Sequence, residues 1–133
     1  MSDVRLDFSR RARIGLGEAV FCASKLPEQI ARIAREASTA DERMLFTRLS
    51  AEALAALPAE TRALLDYDPI SRTAVLGAPA DAGRAGLVAV VFAGTSDLPV
   101  AAEAERALRF DGVAPLMLGD VGVAGLWRLT ERI

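Results

Sequence analysis

The sequence predicts an α/β fold in two parts, a small βαβαβ unit followed by an incomplete parallel sheet with flanking helices. Three observations carry this reading. Short apolar segments of strand length alternate with a helical apolar stripe at Ile30, Ile33, Ala34 and Ala37, spaced i, i+3, i+4 and i+7. A stretch of small residues with Gly and Pro and no periodicity, residues 77–85, divides the chain. Beyond it the continuous apolar run 87–93 has the texture of a strand buried on both faces of a parallel sheet. The expected organisation is an N-terminal α/β domain over 1–77, a linker over 78–85, and the first βαβα part of a second domain over 86–133.

Each element has a local cause. Residues 19–22 form a short apolar strand after an arginine-dense start. Pro27 and Glu28 open a helix running to Ser38, with proline in the tolerated first turn and an acid at the positive end. Residues 44–47 read as the second strand. Ser50 caps a helix from Ala51, which Pro58 interrupts. Residues 73–76 complete the first unit as its third strand. In the second, a turn at 94–97 leads to a helix from Leu98 to Phe110, a strand follows over 113–118, then a turn at 119–122 and a helix from Val123. Two consecutive βα units imply a parallel pair joined by a crossover, and a sheet of two strands is short of the usual complement.

Composition narrows the function. The chain has 133 residues, 52% hydrophobic and 26% charged, so it is neither disordered nor low-complexity. A net charge of −2 argues against nucleic acid as partner. Histidine is absent, which removes the Ser-His-Asp triad and histidine metal sites. One cysteine, Cys22, permits no internal disulfide and no multi-cysteine metal centre. The start of the chain lacks a signal-peptide core, and no apolar run approaches the ~20 residues of a membrane span. A cytoplasmic protein with no membrane partner is expected.

The two turns after the second unit's strands hold the chemistry. Gly94, Thr95, Ser96 and Asp97 join a buried strand to a helix start, where amides and hydroxyls suit a phosphate and Asp97 suits ribose hydroxyls. Simple capping by Ser96 or Asp97 is the competing explanation. Asp120, Gly122 and Arg128 belong to the second turn and its helix. In a parallel sheet both turns lie at the carboxyl edge, where open α/β sheets bind ligands. The glycines do not match the dinucleotide fingerprint, and together the turns fit a phosphate or nucleotide in general.

These residues resemble those of the LarB family, the PurE-related synthases of pyridinium-3,5-biscarboxylic acid mononucleotide. The resemblance lies in Gly94-Thr95-Ser96-Asp97-Leu98-Pro99-Val100-Ala101 with Glu103-Ala104, and in Asp120-Val121-Gly122-Val123-Ala124-Gly125-Leu126 with Arg128-Leu129. It extends to Asp7, Arg10, Arg13, Gly15, Glu18, Val20, Lys25, residues 27–30 and Thr47-Arg48. It implies a flavodoxin-like (PurE-like) second domain and an enzyme of nickel-pincer cofactor biosynthesis. That enzyme carboxylates the pyridinium ring of nicotinic acid adenine dinucleotide with CO2 and releases AMP. The resemblance names no certain cofactor, leaves Mg2+ open, and implies a homo-oligomer related to aminoimidazole ribonucleotide carboxylases.

By the same resemblance, Gly94, Thr95, Ser96, Asp97, Asp120, Gly122 and Arg128 bind substrate and phosphate. Arg10, Arg13, Lys25 and Arg48 are candidates for a cleft between the domains, with a solvated cluster of ion pairs as the alternative. No catalytic residue and no metal ligand is assigned. The family usually has histidine where this chain has Trp127, so a proton transfer through that imidazole has no counterpart here. Packing within its helix is the expected role of Trp127, with stacking on a ring as the alternative. The family's domain continues through further βα units that carry its cysteine nucleophile, so the chain is expected to be part of a longer one. Cys22 is read as a small buried hydrophobe. The alternative function is a non-catalytic nucleotide-binding or regulatory fragment of a PurE-related protein.

Overall fold

A computed structural model describes residues 6–78, 80 and 83–132. The chain divides into two compact units, Met1–Ala78 and Pro79–Ile133. The first runs α1 (Arg10–Ile14), β1 (Ala19–Phe21), α2 (Pro27–Thr39), β2 (Met44–Thr47), α3 (Ala51–Ala55), α4 (Ala59–Ala63), β3 (Leu65–Asp68) and β4 (Thr73–Leu76). Its sheet has the order β1-β2-β4-β3, with β1 and β2 parallel and the other two pairings antiparallel.

The apolar stripe of α2 is the organiser of this unit. Ile30, Ile33, Ala34 and Ala37 are all buried and pack with Val20, Met44, Phe46, Ala74 and Leu76 of the sheet. Small alanines at two of the four positions let the helix lie close to the strands. Gln29 fixes the start of α2 by accepting a hydrogen bond from the Leu26 amide at 2.9 Å. Ser50 caps α3, its hydroxyl accepting from the Ala53 amide at 3.1 Å, and Pro58 stands immediately before α4.

The expected three-strand βαβαβ unit gains a fourth strand, β3, paired with β4 from Leu65↔Leu76 to Asp68↔Thr73. Two of its four residues are aspartates, which strands disfavour, and pairing overrides that preference. The Asp68 carboxylate closes the β3–β4 turn by accepting from the Ser71 amide at 2.8 Å and from its hydroxyl. Tyr67 adds a hydrogen bond from its hydroxyl to the Leu49 carbonyl at 3.1 Å.

The second unit is β5 (Arg84–Val91), α5 (Leu98–Phe110), β6 (Val113–Leu118) and α6 (Leu126–Thr130), with single 3-10 turns at Thr95–Asp97 and Val123–Gly125. β5 and β6 are parallel, in the register Ala89↔Leu116 to Val91↔Leu118. Three expectations change here. β5 begins at Arg84, inside the stretch read as linker, because Arg84 and Ala85 pair with Val113 and Ala114. The helix expected from Val123 starts as a 3-10 turn and becomes α-helical only at Leu126. Finally, the strand read as buried on both faces has exposed residues on each: Val88 and Val91, on opposite faces, are 36% and 54% exposed, although α5 packs on the sheet.

Candidate functional site

The parallel register of β5 and β6 sets their carboxyl ends side by side. Past the last pair, Val91↔Leu118, the Phe92 amide still donates to the Leu118 carbonyl at 3.0 Å. The Val121 amide then donates back to the Phe92 carbonyl at 3.4 Å, tying the second turn to the first. Gly122 lies against the same segment, where a Cβ would stand 3.5 Å from the Ala93 carbonyl oxygen. The structure thus brings the backbone segments carrying Gly94, Thr95, Ser96, Asp97, Asp120 and Gly122 to one edge of the sheet.

Within the first turn, Asp97 Oδ2 accepts from the Gly94 amide at 3.0 Å, and the Asp97 amide donates to the Gly94 carbonyl at 3.0 Å. Asp97 therefore braces its own turn. The Asp97 carboxylate thus caps the 3-10 turn that leads into α5, as the capping explanation expects, while at the N-cap of α5 itself it makes no side-chain hydrogen bond. Thr95, Ser96 and Asp97 are exposed, and the two hydroxyls stand beside the start of a 13-residue helix.

Arg128 and Asp120 form an ion pair, Nη1 to Oδ1, at 2.8 Å. Asp120 has a left-handed backbone, φ 58°, which aspartate adopts more readily than most residues. That conformation folds the second turn so that a carboxylate eight positions before Arg128 meets its guanidinium. The same guanidinium lies 5.5 Å from the centroid of the Trp127 ring. Trp127 is 59% exposed, so the expectation that it packs within its helix is overturned: α6 has no buried residue, and its indole has no core to enter.

Sequence reasoning passed over Gly119. A Cβ there would fall 2.4 Å from the ring of Phe92, so the aromatic at the end of one strand fills the space a side chain would need on the next. The signal was a glycine directly after one strand beside a phenylalanine directly after its neighbour.

In the first unit the four proposed cleft residues fall into two groups at opposite ends of β1. Arg13 makes a two-point pair with Asp7, at 3.1 and 2.7 Å, and donates to the Ser9 hydroxyl at 2.8 Å. The Asp7 amide donates to Glu18, next to the start of β1, at 2.9 Å. Hydrogen bonds from Arg13 and Ser9 hold the Asp7 carboxyl below its ordinary range. This is the ion-pair cluster weighed as an alternative, and Arg10 lies on the same short helix. Lys25 and Arg48 instead follow the carboxyl ends of β1 and β2. The Lys25 amide donates to the Cys22 carbonyl at 3.0 Å, and the Cys22 amide donates to the Thr47 carbonyl at 2.9 Å.

A concavity of about 300 Å³ in this unit is lined by Asp7, Arg11, Glu18, Asp41 and Arg43, among others. Among the described residues no three Asp, Glu, Cys or His side chains group so as to hold a metal ion. No helix among them is long and apolar enough to cross a membrane.

Cys22 is 3% exposed, and burial raises its thiol from an ordinary 9.0 to about 11. A thiol so placed is neutral at physiological pH and a poor nucleophile. Native protein at pH 8 is therefore expected to react with iodoacetamide at least tenfold more slowly than protein in urea, read by mass spectrometry. The raised value also sets a sign. Between about pH 9 and 11 the unfolded thiol loses its proton and the folded one keeps it, so stability falls as pH rises through that window.

Fold and site together define an α/β protein with two loops set side by side at the carboxyl edge of a parallel strand pair. Residues 1–78 match the model of the LarB/PurE-like N-terminal domain, and the chain belongs to that family. It is 32% identical over 133 residues to an uncharacterized protein of Methanocaldococcus jannaschii, across 95% of this chain and 51% of the other. The chain thus spans about half the length of that relative.

Proposed function

We propose that this chain supplies the nucleotide-binding edge of a LarB-type enzyme of nickel-pincer cofactor biosynthesis. The reaction would carboxylate the pyridinium ring of nicotinic acid adenine dinucleotide with CO2 and release AMP, in a cytoplasmic homo-oligomer. One observation carries the proposal most: the hydrogen bond between Val121 and Phe92 that joins the two turns at one sheet edge. It sets the hydroxyl-bearing first turn beside the turn whose Asp120 holds the Arg128 guanidinium, a combination suited to a phosphate. The free oxygen of Asp97 is available to a ribose hydroxyl. Family membership supports the same reading.

A second reading, a non-catalytic nucleotide-binding or regulatory module, is favoured by Trp127, which stands where the resemblance calls for an imidazole. Both readings require nucleotide binding, and they part at chemistry. Calorimetric titration of the chain with nicotinic acid adenine dinucleotide tests the shared part. Saturable binding that a Thr95→Val/Ser96→Ala double variant weakens by about 30-fold or more is expected, since each of the two hydroxyl bonds to a charged group contributes roughly 1 kcal/mol or more. No heat at millimolar ligand, or equal binding by the variant, would refute the assignment of this edge. AMP release in the presence of bicarbonate separates the enzyme from the module.

A further inference from the structure

The side chain of Trp127 is large, flat and exposed, yet it is not loosely placed. At Gly125 a Cβ would stand 2.9 Å from the indole Nε1, 3.5 Å from Cδ1 and 3.5 Å from Arg128 Nε. The glycine is a seat that the indole and the guanidinium share, and any other residue would push the ring away. Arg128, whose own charge is met by Asp120 at 2.8 Å, lies 5.5 Å from the ring centroid. The guanidinium thus lies over one face of the indole, and the exposed remainder of the ring is open to a ligand's ring.

We propose that Trp127 is a specificity-determining residue that stacks on the ligand's ring and selects an electron-poor, cationic nitrogen heterocycle. The proposal rests on the nucleotide-binding reading above and deepens it. The face of an indole is electron-rich, so it attracts a pyridinium more strongly than a neutral ring of the same area. Arg128 fixes the phosphate, Trp127 reads the ring, and Gly125 keeps the two in register. The exposed indole then has a purpose that packing does not give it.

Trp127 is the only tryptophan, so its fluorescence reports on this contact alone. The probes are nicotinic acid mononucleotide, AMP and ribose 5-phosphate, added to the 133-residue chain. Nicotinic acid mononucleotide is expected to quench the emission saturably, AMP to bind more weakly, and ribose 5-phosphate to bind without quenching. Trp127→Ala should weaken nicotinic acid mononucleotide about tenfold by calorimetry, the scale of one ring stack, and leave ribose 5-phosphate unchanged. Trp127→Phe should recover part of the loss, and Gly125→Ala, which displaces the indole without removing it, should reproduce it. Tight binding of nicotinic acid mononucleotide with unaltered emission, or equal affinity in Trp127→Ala, would overturn the stacking role while the nucleotide site stood. Failure of all three probes to bind would overturn the site itself, and the stacking with it.

Discussion

Phe46→Ala is expected to cost about 3–5 kcal/mol, the largest loss available from one side chain in the first unit. Phe46 is fully buried on β2, paired with Val20 on one side and Ala74 on the other. It is packed in one cluster with Ile30, Ile33 and Ala34 of α2. Truncation removes the transfer energy of a benzyl group and leaves a cavity at the centre of the sheet, where paired strands on both sides prevent collapse. A domain at the low end of the usual stability range, about 5 kcal/mol, would then be partly unfolded at 37 °C. Urea denaturation followed by far-UV circular dichroism measures this, with Phe46→Leu as the volume-conserving control that should lose much less. A cost below about 1 kcal/mol for Phe46→Ala would mean that α2 and the sheet do not share one core.

Arg128→Ala is expected to weaken binding of nicotinic acid mononucleotide by about 10- to 100-fold, since a charge-assisted bond to phosphate contributes roughly 1.5–3 kcal/mol. The ion pair with Asp120 sharpens the test. Both side chains are largely exposed, and such pairs contribute at most about 1 kcal/mol to stability. Arg128→Ala should therefore leave the fold intact while binding fails. Asp120→Asn keeps a residue tolerant of the left-handed backbone and removes the charge that holds the guanidinium. It is expected to weaken binding, by less than Arg128→Ala does. Calorimetry on the two variants decides the matter: unchanged affinity in Arg128→Ala removes that residue from the phosphate site.

What could be read from sequence was whatever has a local cause. The stripe of α2 announces itself because its periodicity and its buried face are the same fact. The bounds of α5 follow from Pro99 in the first turn and Asp111-Gly112 at the end. β3 stayed hidden because Leu-Asp-Tyr-Asp is a poor strand by composition; pairing to β4 and the Asp68–Ser71 turn make it one. The start of β5 was missed likewise, since Arg84 and Ala85 look like linker until Val113 and Ala114 lie beside them.

The candidate site divides in the same way. That both turns share an edge follows from two successive βα units. The meeting of Asp120 with Arg128 depends on one left-handed residue and a 3-10 turn, which no periodicity encodes. The separation of Arg13 from Lys25 depends on where α1 folds, and a five-residue helix carries too short a pattern to place it.

The mixed sheet of the first unit also has a consequence in time. β3 and β4 are joined by a short turn already closed by Asp68, so their pairing involves little loop entropy and belongs to the microsecond events of a hairpin. β1 and β2 run parallel and meet only after the chain has travelled out and back through α2. The β1–β2 seam is therefore expected to close after the hairpin, together with the docking of α2.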